Sequence, residues 1–387
     1  GALVVADTTA ALLACARLAR DASPARFVAI TGSVGKTTTK AFLAQLLRAA
    51  GEGAVEATPA NENNEFGVAK LLLGLLPETR YVVVEIGARH FGEIAPLARI
   101  VRPQCALLTA IGDAHLEIMG SPERLAETKW GIFAGGGFPV LAAADVVVRT
   151  RAATLLGPRL WFADAASRTP ALRVGDRVLE VHRRDTLVVR DIARECFRLP
   201  ISLAIPGDHN RANAAAAAAA ALGLGLTPQA LAAALGTLEL PRGRYERIAV
   251  GEANAIYDAY NASCAGTLAS LRSFAREPAR RRIAVLAGMA ELGEPAARLH
   301  REVGRLAGAL ALEVVLVSGE FAGEMIEGAR EAGLAREALV PFGDNAEAAA
   351  WLRAHVLPGD LVLFKGSRRY RLEEVLAAWR EGAVAHA

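Results

Sequence analysis

The 387-residue chain has few cysteines, few aromatic residues and little net charge. Its four cysteines, Cys15, Cys105, Cys196 and Cys264, lie far apart without a C-x-x-C pair, which favours reduced thiols over a disulfide framework or a zinc site. The formal net charge is only +3, and no basic run is interleaved with aromatic residues. We therefore expect no nucleic-acid partner. The apolar runs are short and broken by charges, so we expect no membrane span and no membrane partner. We therefore expect a cytoplasmic protein.

Strands alternate with helices along most of the chain, which is 53% hydrophobic and long enough for two or three domains. We expect a lead-in over residues 1–25, with a helix capped near Asp7 or Thr8. A central P-loop domain follows over 26–245, with a mostly parallel sheet and a small antiparallel flank. The alanines at 214–221 predict a closely packed helix in that domain. A Rossmann-like α/β domain is expected over 246–387.

A glycine-rich turn between an apolar strand and a helix predicts a phosphate-binding loop. It reads T-G-S-V-G-K-T-T-T-K over residues 31–40. Glycines let backbone N–H groups turn inward, Lys36 can reach the β- and γ-phosphates, and Thr37 can ligate Mg²⁺. The spacing is shorter than the common P-loop, because Ile30 stands at the first glycine position. The loop residues that we expect to contact ATP are Gly32, Ser33, Gly35, Lys36, Thr37 and Thr38.

Three further residues carry candidate chemistry. Glu85 ends an apolar strand, where a second Mg²⁺ ligand beside a P-loop is needed. His115 follows another strand and is interpreted either as a metal ligand or as a partly buried structural histidine. Lys129 lies on a helix whose other face is apolar. From the residues alone, a solvated charge is the favoured interpretation of Lys129.

Taken together, the motifs resemble the Mur ligase family, the ATP-dependent amide-forming enzymes of peptidoglycan precursor synthesis. The resemblance runs from about residue 4 to residue 380. The motifs that carry it lie at residues 31–37, 61–68, 85–94, 114–117, 207–214, 244, 257–262, 289–293 and 365–368. Each motif is modest by itself, but their common order makes the resemblance highly specific.

The resemblance implies a role for each catalytic candidate. Lys36 and Thr37 would hold the ATP phosphates and one Mg²⁺, and Glu85 would be a shared metal ligand. His115 would bind the second Mg²⁺. Lys129 matches the family lysine that is carbamylated, so its carbamate would help to place that metal.

The resemblance also implies roles for residues outside the phosphate loop. Asn210 would meet the adenine, while Arg244 and Asp258 would reach the ribose and phosphates. Asn61 and Asn64 would line the phosphate and acceptor region. Residues on the substrate side would be Tyr260, Asn261, Lys365, Ser367 and Arg368.

The implied reaction is amide formation through an acyl phosphate, with D-Ala-D-Ala added to a UDP-muramoyl tripeptide. Some positions depart from the family pattern on the acceptor side, at Ala69, Trp130, Ser263 and Gly288. The family's N-terminal domain, which holds the uridine nucleotide, has no counterpart in this sequence. Such differences are compatible with a paralogue that joins another acid and amine, or with a nucleotide-binding module whose partner supplies that domain. A P-loop kinase or simple ATPase would not need the second α/β domain.

Overall fold

The computed structural model describes residues 4–51, 53–113, 116–164, 170–182, 185–310 and 312–384. These residues divide into two compact units. The first unit holds the residues up to Gly112, Ile118–Ile205 and Asn210–Glu239. The second holds Asp113, Leu116 and Glu117, Pro206–His209, and the chain from Leu240 onward.

The first unit is built on a sheet of nine strands. The strands are β1 (Arg26–Thr31), β2 (Ala54–Ala57), β3 (Thr79–Glu85), β4 (Cys105–Leu108), β5 (Phe138–Ala142), β6 (Leu160–Asp164), β7 (Arg177–His182), β8 (Thr186–Asp191) and β9 (Glu195–Pro200). The helices up to residue 239 are α1 (Thr8–Ala22), α2 (Lys36–Ala49), α3 (Glu65–Leu73), α4 (Ile94–Val101), α5 (Leu116–Met119), α6 (Pro122–Trp130), α7 (Val146–Arg151), α8 (Asp208–Gly223) and α9 (Pro228–Leu235). Short 3₁₀ helices cover Gly131–Gly135 and Ala152–Thr154.

The strand order of this sheet is β2-β3-β1-β4-β5-β6-β7-β8-β9. All pairings from β2 through β7 are parallel, whereas β8 and β9 add antiparallel strands at one edge. Buried apolar runs on β1, β3 and β4 suit parallel strands that are covered on both faces. The expected parallel sheet with a small antiparallel flank is confirmed. The expected cap of the first helix is also present, because the Asp7 side chain accepts from Thr9 N and Ala10 N.

Helix α8 contains the alanine run of the sequence. Every alanine from residue 214 to residue 221 is 0% exposed, so the helix is covered on all sides. A Cβ atom at Gly223, the last residue of α8, would lie 2.2 Å from the Phe138 ring on β5. The closely packed helix predicted from the sequence is confirmed, and the small side chains are what permit the close approach.

The second unit has a six-stranded sheet in the order β10-β11-β15-β12-β13-β14. Its strands are β10 (Glu246–Val250), β11 (Ala253–Tyr257), β12 (Arg282–Ala287), β13 (Val314–Ser318), β14 (Leu339–Pro341) and β15 (Leu361–Lys365). Its helices are α10 (Cys264–Phe274), α11 (Ala296–Ala309), α12 (Ala322–Glu331), α13 (Asn345–His355) and α14 (Leu372–Val384), with 3₁₀ helices at Arg336–Ala338 and Arg368–Tyr370. Among these six strands β10 pairs antiparallel with β11, and the remaining pairings are parallel. Apolar side chains of β12 and β15 enter two separate core clusters, which confirms the expected Rossmann-like α/β architecture.

None of the helices in the described ranges combines the length and apolarity that crossing a bilayer requires.

A buried ion pair ties together the starts of β6 and β7. Asp176 is 0% exposed, and its carboxylate accepts hydrogen bonds from Arg159 Nε at 3.1 Å and from the Arg159 backbone N at 2.9 Å. Arg173 N donates to the same carboxylate at 3.0 Å. Burial alone would raise the pKa of Asp176, but the hydrogen bonds from Arg159 and Arg173 hold it below its usual value.

Replacing Asp176 with alanine would leave the Arg159 guanidinium buried without its partner. We expect Asp176→Ala to lower the free energy of unfolding by about 3–5 kcal/mol, measured by urea denaturation. The control is Glu195→Ala, which removes an exposed partner of Arg198 and is expected to cause no measurable change. Equal stability of the two variants would contradict the anchoring role of the buried pair.

Candidate active site

The loop between β1 and α2 is shaped by two glycines that side chains approach closely. Gly32 has a φ of +149°, and a Cβ atom there would lie 1.9 Å from Thr109 Oγ1. Gly35 has a φ of +81° and is the N-cap of α2, where a Cβ atom would lie 2.4 Å from Asn213 Oδ1. Left-handed backbone and close contact both require glycine at these positions. The loop therefore opens onto the N-terminus of α2, as the sequence predicts for a phosphate site.

Hydrogen bonds to the segment that follows β4 hold this loop in place. Thr109 Oγ1 donates to Val34 O at 2.5 Å, and Ser33 Oγ accepts from Gly112 N at 2.9 Å. Lys36 Nζ donates to Gly32 O at 2.8 Å, so its ammonium lies over the loop itself. These contacts hold the backbone of the loop in one conformation.

The carboxylate of Glu85 lies at the end of β3 and is 1% exposed. Its Oε1 accepts from Asn63 Nδ2 at 2.8 Å and from Thr37 Oγ1 at 3.3 Å. Its backbone N donates to Thr58 Oγ1 at 2.9 Å, and its Oε2 lies 3.2 Å from Lys40 Nζ. The structure thus brings together Thr37 and Glu85, the two residues that the sequence proposed as oxygen ligands for Mg²⁺.

Lys129 is 1% exposed at the end of α6, so its interpretation as a solvated surface charge is wrong. Desolvation by burial and the nearby charge of Lys36 lower the pKa of Lys129 to about 7, although Glu85 and Glu93 oppose this shift. The other charged residues of α6 are exposed, whereas Lys129 lies with the apolar residues on the buried side of the helix, where the helical pattern predicts no charge.

The asparagine motif contributes a different residue from those expected. Asn64 Oδ1 caps α3 by accepting from Gly67 N at 3.1 Å, and Asn61 is exposed. The side chain that reaches Glu85 belongs to Asn63, which was not among the expected site residues. The only signal for it was its position inside the N-x-N-N motif. His115 lies outside the described residues.

Asn210 is buried and linked to the phosphate loop through a second asparagine. Asn213 Nδ2 donates to Asn210 Oδ1 at 3.2 Å, and Asn213 Oδ1 lies 3.5 Å from Thr39 Oγ1 on α2. Asn213 also limits the space at Gly35. Asn213 was not among the expected site residues, although its spacing of three residues from Asn210 places both on one face of α8. Thr38, expected to contact ATP, is buried.

In the second unit, two arginines lie over the ring of Tyr260. The guanidinium carbon of Arg244 is 4.4 Å from the ring centroid and that of Arg368 is 6.0 Å away. Arg368 NH2 also lies 3.4 Å from Glu373 Oε1. Stacking on an aromatic face restricts a flexible guanidinium and suits it to bind anionic groups. Three residues that the family resemblance singles out are therefore neighbours in this unit.

Asp258 and Lys365 form a buried ion pair in the second unit. Lys365 Nζ donates to Asp258 Oδ2 at 2.8 Å and to Asn261 O at 3.1 Å. Asp258 also accepts from Ser270 Oγ, and from Tyr245 N at 3.2 Å. Burial would raise the pKa of Asp258, but the Lys365 charge and these hydrogen bonds hold it below its usual value. With both oxygens already engaged, Asp258 fixes its own neighbours rather than presenting a free carboxylate.

Ser367 joins two loops of the same unit. Its Oγ accepts from Ala290 N at 2.8 Å, and its backbone N donates to Gly288 O at 3.0 Å. The motif at residues 289–293 is thereby held against the motif at 365–368.

The donors around Glu85 are compatible with a Mg²⁺ ion. Glu85 Oε2 is buried and accepts no hydrogen bond, although Lys40 Nζ lies 3.2 Å away, and Glu85 Oε1 accepts from the hydroxyl of Thr37. Carboxylate and hydroxyl oxygens are hard ligands that suit Mg²⁺. No group of three or more His, Cys, Asp or Glu side chains forms a metal cluster in the part of the chain that the structure describes. Magnesium needs no such cluster, because it usually binds through one or two protein ligands together with phosphates and water.

Comparisons with known proteins agree with this arrangement. The sequence matches the profile of the Mur ligase middle domain over residues 30–221 and that of the Mur ligase glutamate ligase domain over residues 243–368. The UDP-N-acetylmuramoyl-tripeptide–D-alanyl-D-alanine ligase of Synechocystis sp. is 36% identical over 351 residues, which cover 90% of this chain and 73% of that relative.

Two solved structures are similar over almost the whole chain. MurF from Acinetobacter baumannii has a TM-score of 0.84 at 28% identity, covering 98% of this chain and 82% of its own. MurF ligase from Thermotoga maritima, solved in complex with ADP, has a TM-score of 0.84 at 27% identity, covering 100% of this chain and 86% of its own.

Substitution of Gly32 tests whether the loop geometry is required for nucleotide binding. We expect Gly32→Ala to weaken ADP binding at least tenfold, or about 1.4 kcal/mol, because the new methyl group would displace Thr109 and strain a left-handed backbone. Isothermal titration calorimetry measures the affinity. The control is Gly323→Ala on α12, where a Cβ atom meets nothing within 4 Å. Unchanged affinity in Gly32→Ala would contradict the loop's role.

Proposed function

Since the chain belongs to the Mur ligase family, we propose that it is an ATP-dependent ligase that joins D-Ala-D-Ala to a UDP-muramoyl tripeptide. The observation that carries the proposal is the loop after the parallel strand β1, where Lys36 lies over the loop and Thr37 donates to Glu85. The substrates are those named for the Synechocystis relative. We assign ATP binding to residues 26–245 and the ligase domain to residues 246–387.

The phosphate loop holds the nucleotide in this proposal. Backbone N–H groups at the start of α2 point toward anionic groups, and the ammonium of Lys36 neutralises charge on the β- and γ-phosphates. Ser33 fixes the loop by its contact with Gly112. Asn210 meets the adenine, and Arg244 is the cation assigned to the phosphates and ribose. Asp258 positions neighbouring groups through its bond with Lys365.

Thr37 and Glu85 would hold one Mg²⁺, and Glu85, His115 and Lys129 would hold a second. When bound, Mg²⁺ neutralises the phosphate charge and polarises the oxygens at the reacting phosphorus. The support for the first site is the hydroxyl–carboxylate pair at 3.3 Å. The support for the second is the burial of Lys129 near Glu85.

Carbamylation of Lys129 reconciles its burial with a role at a metal. A buried ammonium close to Lys36 is unfavourable, and lowering the pKa of Lys129 to about 7 leaves a large neutral fraction that can attack CO₂. The carbamate would replace a positive charge by a negative one. It would then offer oxygen atoms instead of a nitrogen that cannot ligate while protonated.

The reaction proceeds in two displacements. A carboxylate oxygen of the tripeptide attacks the γ-phosphorus of ATP, the bond to the bridging oxygen breaks, and ADP leaves. The amine of D-Ala-D-Ala then attacks the acyl carbon, inorganic phosphate leaves, and the nitrogen loses a proton. Such chemistry asks the protein mainly to position the reactants and to neutralise charge. We assign the acceptor region to Asn61 and Asn64, and the substrate side to Tyr260, Asn261, Lys365, Ser367 and Arg368.

ATP as a substrate and four unpaired cysteines support a cytoplasmic location. A paralogue that joins a different acid and amine is the second candidate. It is motivated by Ser263, which occupies an acceptor-side motif and here caps α10 by accepting from Gly266 N.

Phosphate release over a panel of acid and amine pairs tests the proposed reaction. We expect ATP-dependent release with UDP-muramoyl tripeptide plus D-Ala-D-Ala, and none when either is omitted. Lys36→Ala should abolish release, because the γ-phosphate loses its principal cation, whereas Lys70→Ala on the exposed face of α3 should retain it. Release with another pair alone would reassign the substrates, and full turnover in Lys36→Ala would overturn the phosphate site.

A rescue experiment tests the carbamate. We expect Lys129→Ala to be inactive and to recover part of its phosphate release in the presence of short-chain carboxylates, which can occupy the position of the carbamate. Lys70→Ala, assayed with the same additives, controls for general stimulation by carboxylates. Full activity of Lys129→Ala without any additive would mean that the lysine has no part in catalysis.

A further inference from the structure

Lys40 lies on α2, one helical turn after Lys36, and is 5% exposed. Its Nζ donates to two backbone carbonyls, Thr58 O and Ala60 O, both at 2.7 Å. The same ammonium lies 3.2 Å from Glu85 Oε2. A lysine is rarely buried unless its charge is paired, and here every contact of the ammonium is with an acceptor.

We propose that Lys40 is a positioning residue that fixes Glu85 for Mg²⁺ binding. The inference rests on the proposed Mg²⁺–ATP site, to which it adds a residue that would touch neither the metal nor the nucleotide. Lys40 acts on Oε2, whereas Thr37 donates to the other carboxylate oxygen, Oε1.

The two oxygens of Glu85 have different surroundings. Oε1 receives hydrogen bonds from Thr37 and Asn63, whereas Oε2 has no hydrogen-bond partner and is balanced by the Lys40 charge. An ion pair at Oε2 restricts rotation of the carboxylate, so Oε1 stays directed toward the Thr37 hydroxyl. Groups that orient a metal-ligating carboxylate in this way commonly raise metal affinity.

The backbone contacts of Lys40 extend the same restraint to the asparagine motif. Ala60 has a φ of +39°, a left-handed conformation that is unusual for alanine, and Lys40 bonds its carbonyl. Three residues later the chain places Asn63 on Glu85 Oε1. One ammonium therefore fixes both the carboxylate and the segment that supplies a donor to it.

Electrostatic repulsion alone would have the opposite effect on Mg²⁺ binding. An ammonium beside the carboxylate repels Mg²⁺, so its removal would strengthen metal binding if repulsion dominated. Lys129, which interacts electrostatically with Glu85, and the other charges that act on Lys129, which are Lys36 and Glu93, remain the same in both cases. The direction of the change therefore distinguishes positioning from repulsion.

The experiment measures ADP affinity by calorimetry in Mg²⁺ and in EDTA, and takes the ratio of the two dissociation constants. We expect this Mg²⁺ enhancement to fall about tenfold in Lys40→Met, while affinity in EDTA changes little. The matched control is Lys70→Met on α3, whose exposed ammonium lies 3.0 Å from Glu62. Its enhancement should equal that of the wild type.

A second variant separates the charge of Lys40 from its backbone contacts. Lys40→Gln should fold, because glutamine keeps a donor for one buried carbonyl. It should still lose the Mg²⁺ enhancement, because glutamine carries no charge. In a Glu85→Gln background, Lys40→Gln should cause no further loss, because both changes act on one carboxylate.

An enhancement equal to or above the wild-type value in Lys40→Gln overturns the positioning role. Loss of thermal stability with unchanged enhancement would likewise overturn it, because it would reduce Lys40 to a support for residues 58–60. If the wild type itself shows no Mg²⁺ enhancement, the proposed metal site fails and the inference falls with it.

Discussion

The carboxylate of Glu85 is withdrawn from water at the end of β3, and much of the first unit's active region is arranged to compensate for that burial. An isolated buried charge is strongly unfavourable, so nearby cations and donors must balance it. Lys40 and Thr37 come from α2, and Asn63 comes from the segment before α3. Strand β3, helix α2 and the segment before α3 thus meet at one buried charge.

The second unit also contains a buried carboxylate near the end of a strand, and a lysine again balances its charge. Asp258 follows β11, and Lys365 ends the neighbouring strand β15, so the pair forms where two parallel strands finish. The lysine again bonds backbone carbonyls as well as a carboxylate. Where parallel strands end, carbonyl groups no longer have ladder partners, and a buried ammonium can satisfy several of them at once. In both units a lysine therefore joins irregular backbone to a strand-end acid.

The sequence supplied the residues whose chemistry is tied to a local motif, and missed those that depend on tertiary contacts. Lys36 and Glu85 could be predicted because a glycine-rich turn and a strand-end carboxylate are recognisable by spacing. Lys40 and Asn63 could not, since their role depends on a turn whose left-handed backbone no pattern indicates. The helix pattern wrongly predicts a solvated Lys129, because this lysine lies on the buried side of α6 while the other charged residues of the helix are exposed. Only the family resemblance assigns Lys129 a role in the site, and that role stays a prediction.

The alanine helix has a consequence for how this protein can change. Each of the eight alanines from 214 to 221 is fully enclosed, so no position can accept a larger side chain without displacing its neighbours. Glycine, the one smaller residue, weakens a helix interior by about 1 kcal/mol. Over these eight positions, both larger side chains and glycine are expected to lower the stability of the protein. This run of a single residue type therefore tolerates fewer substitutions than its simple composition suggests.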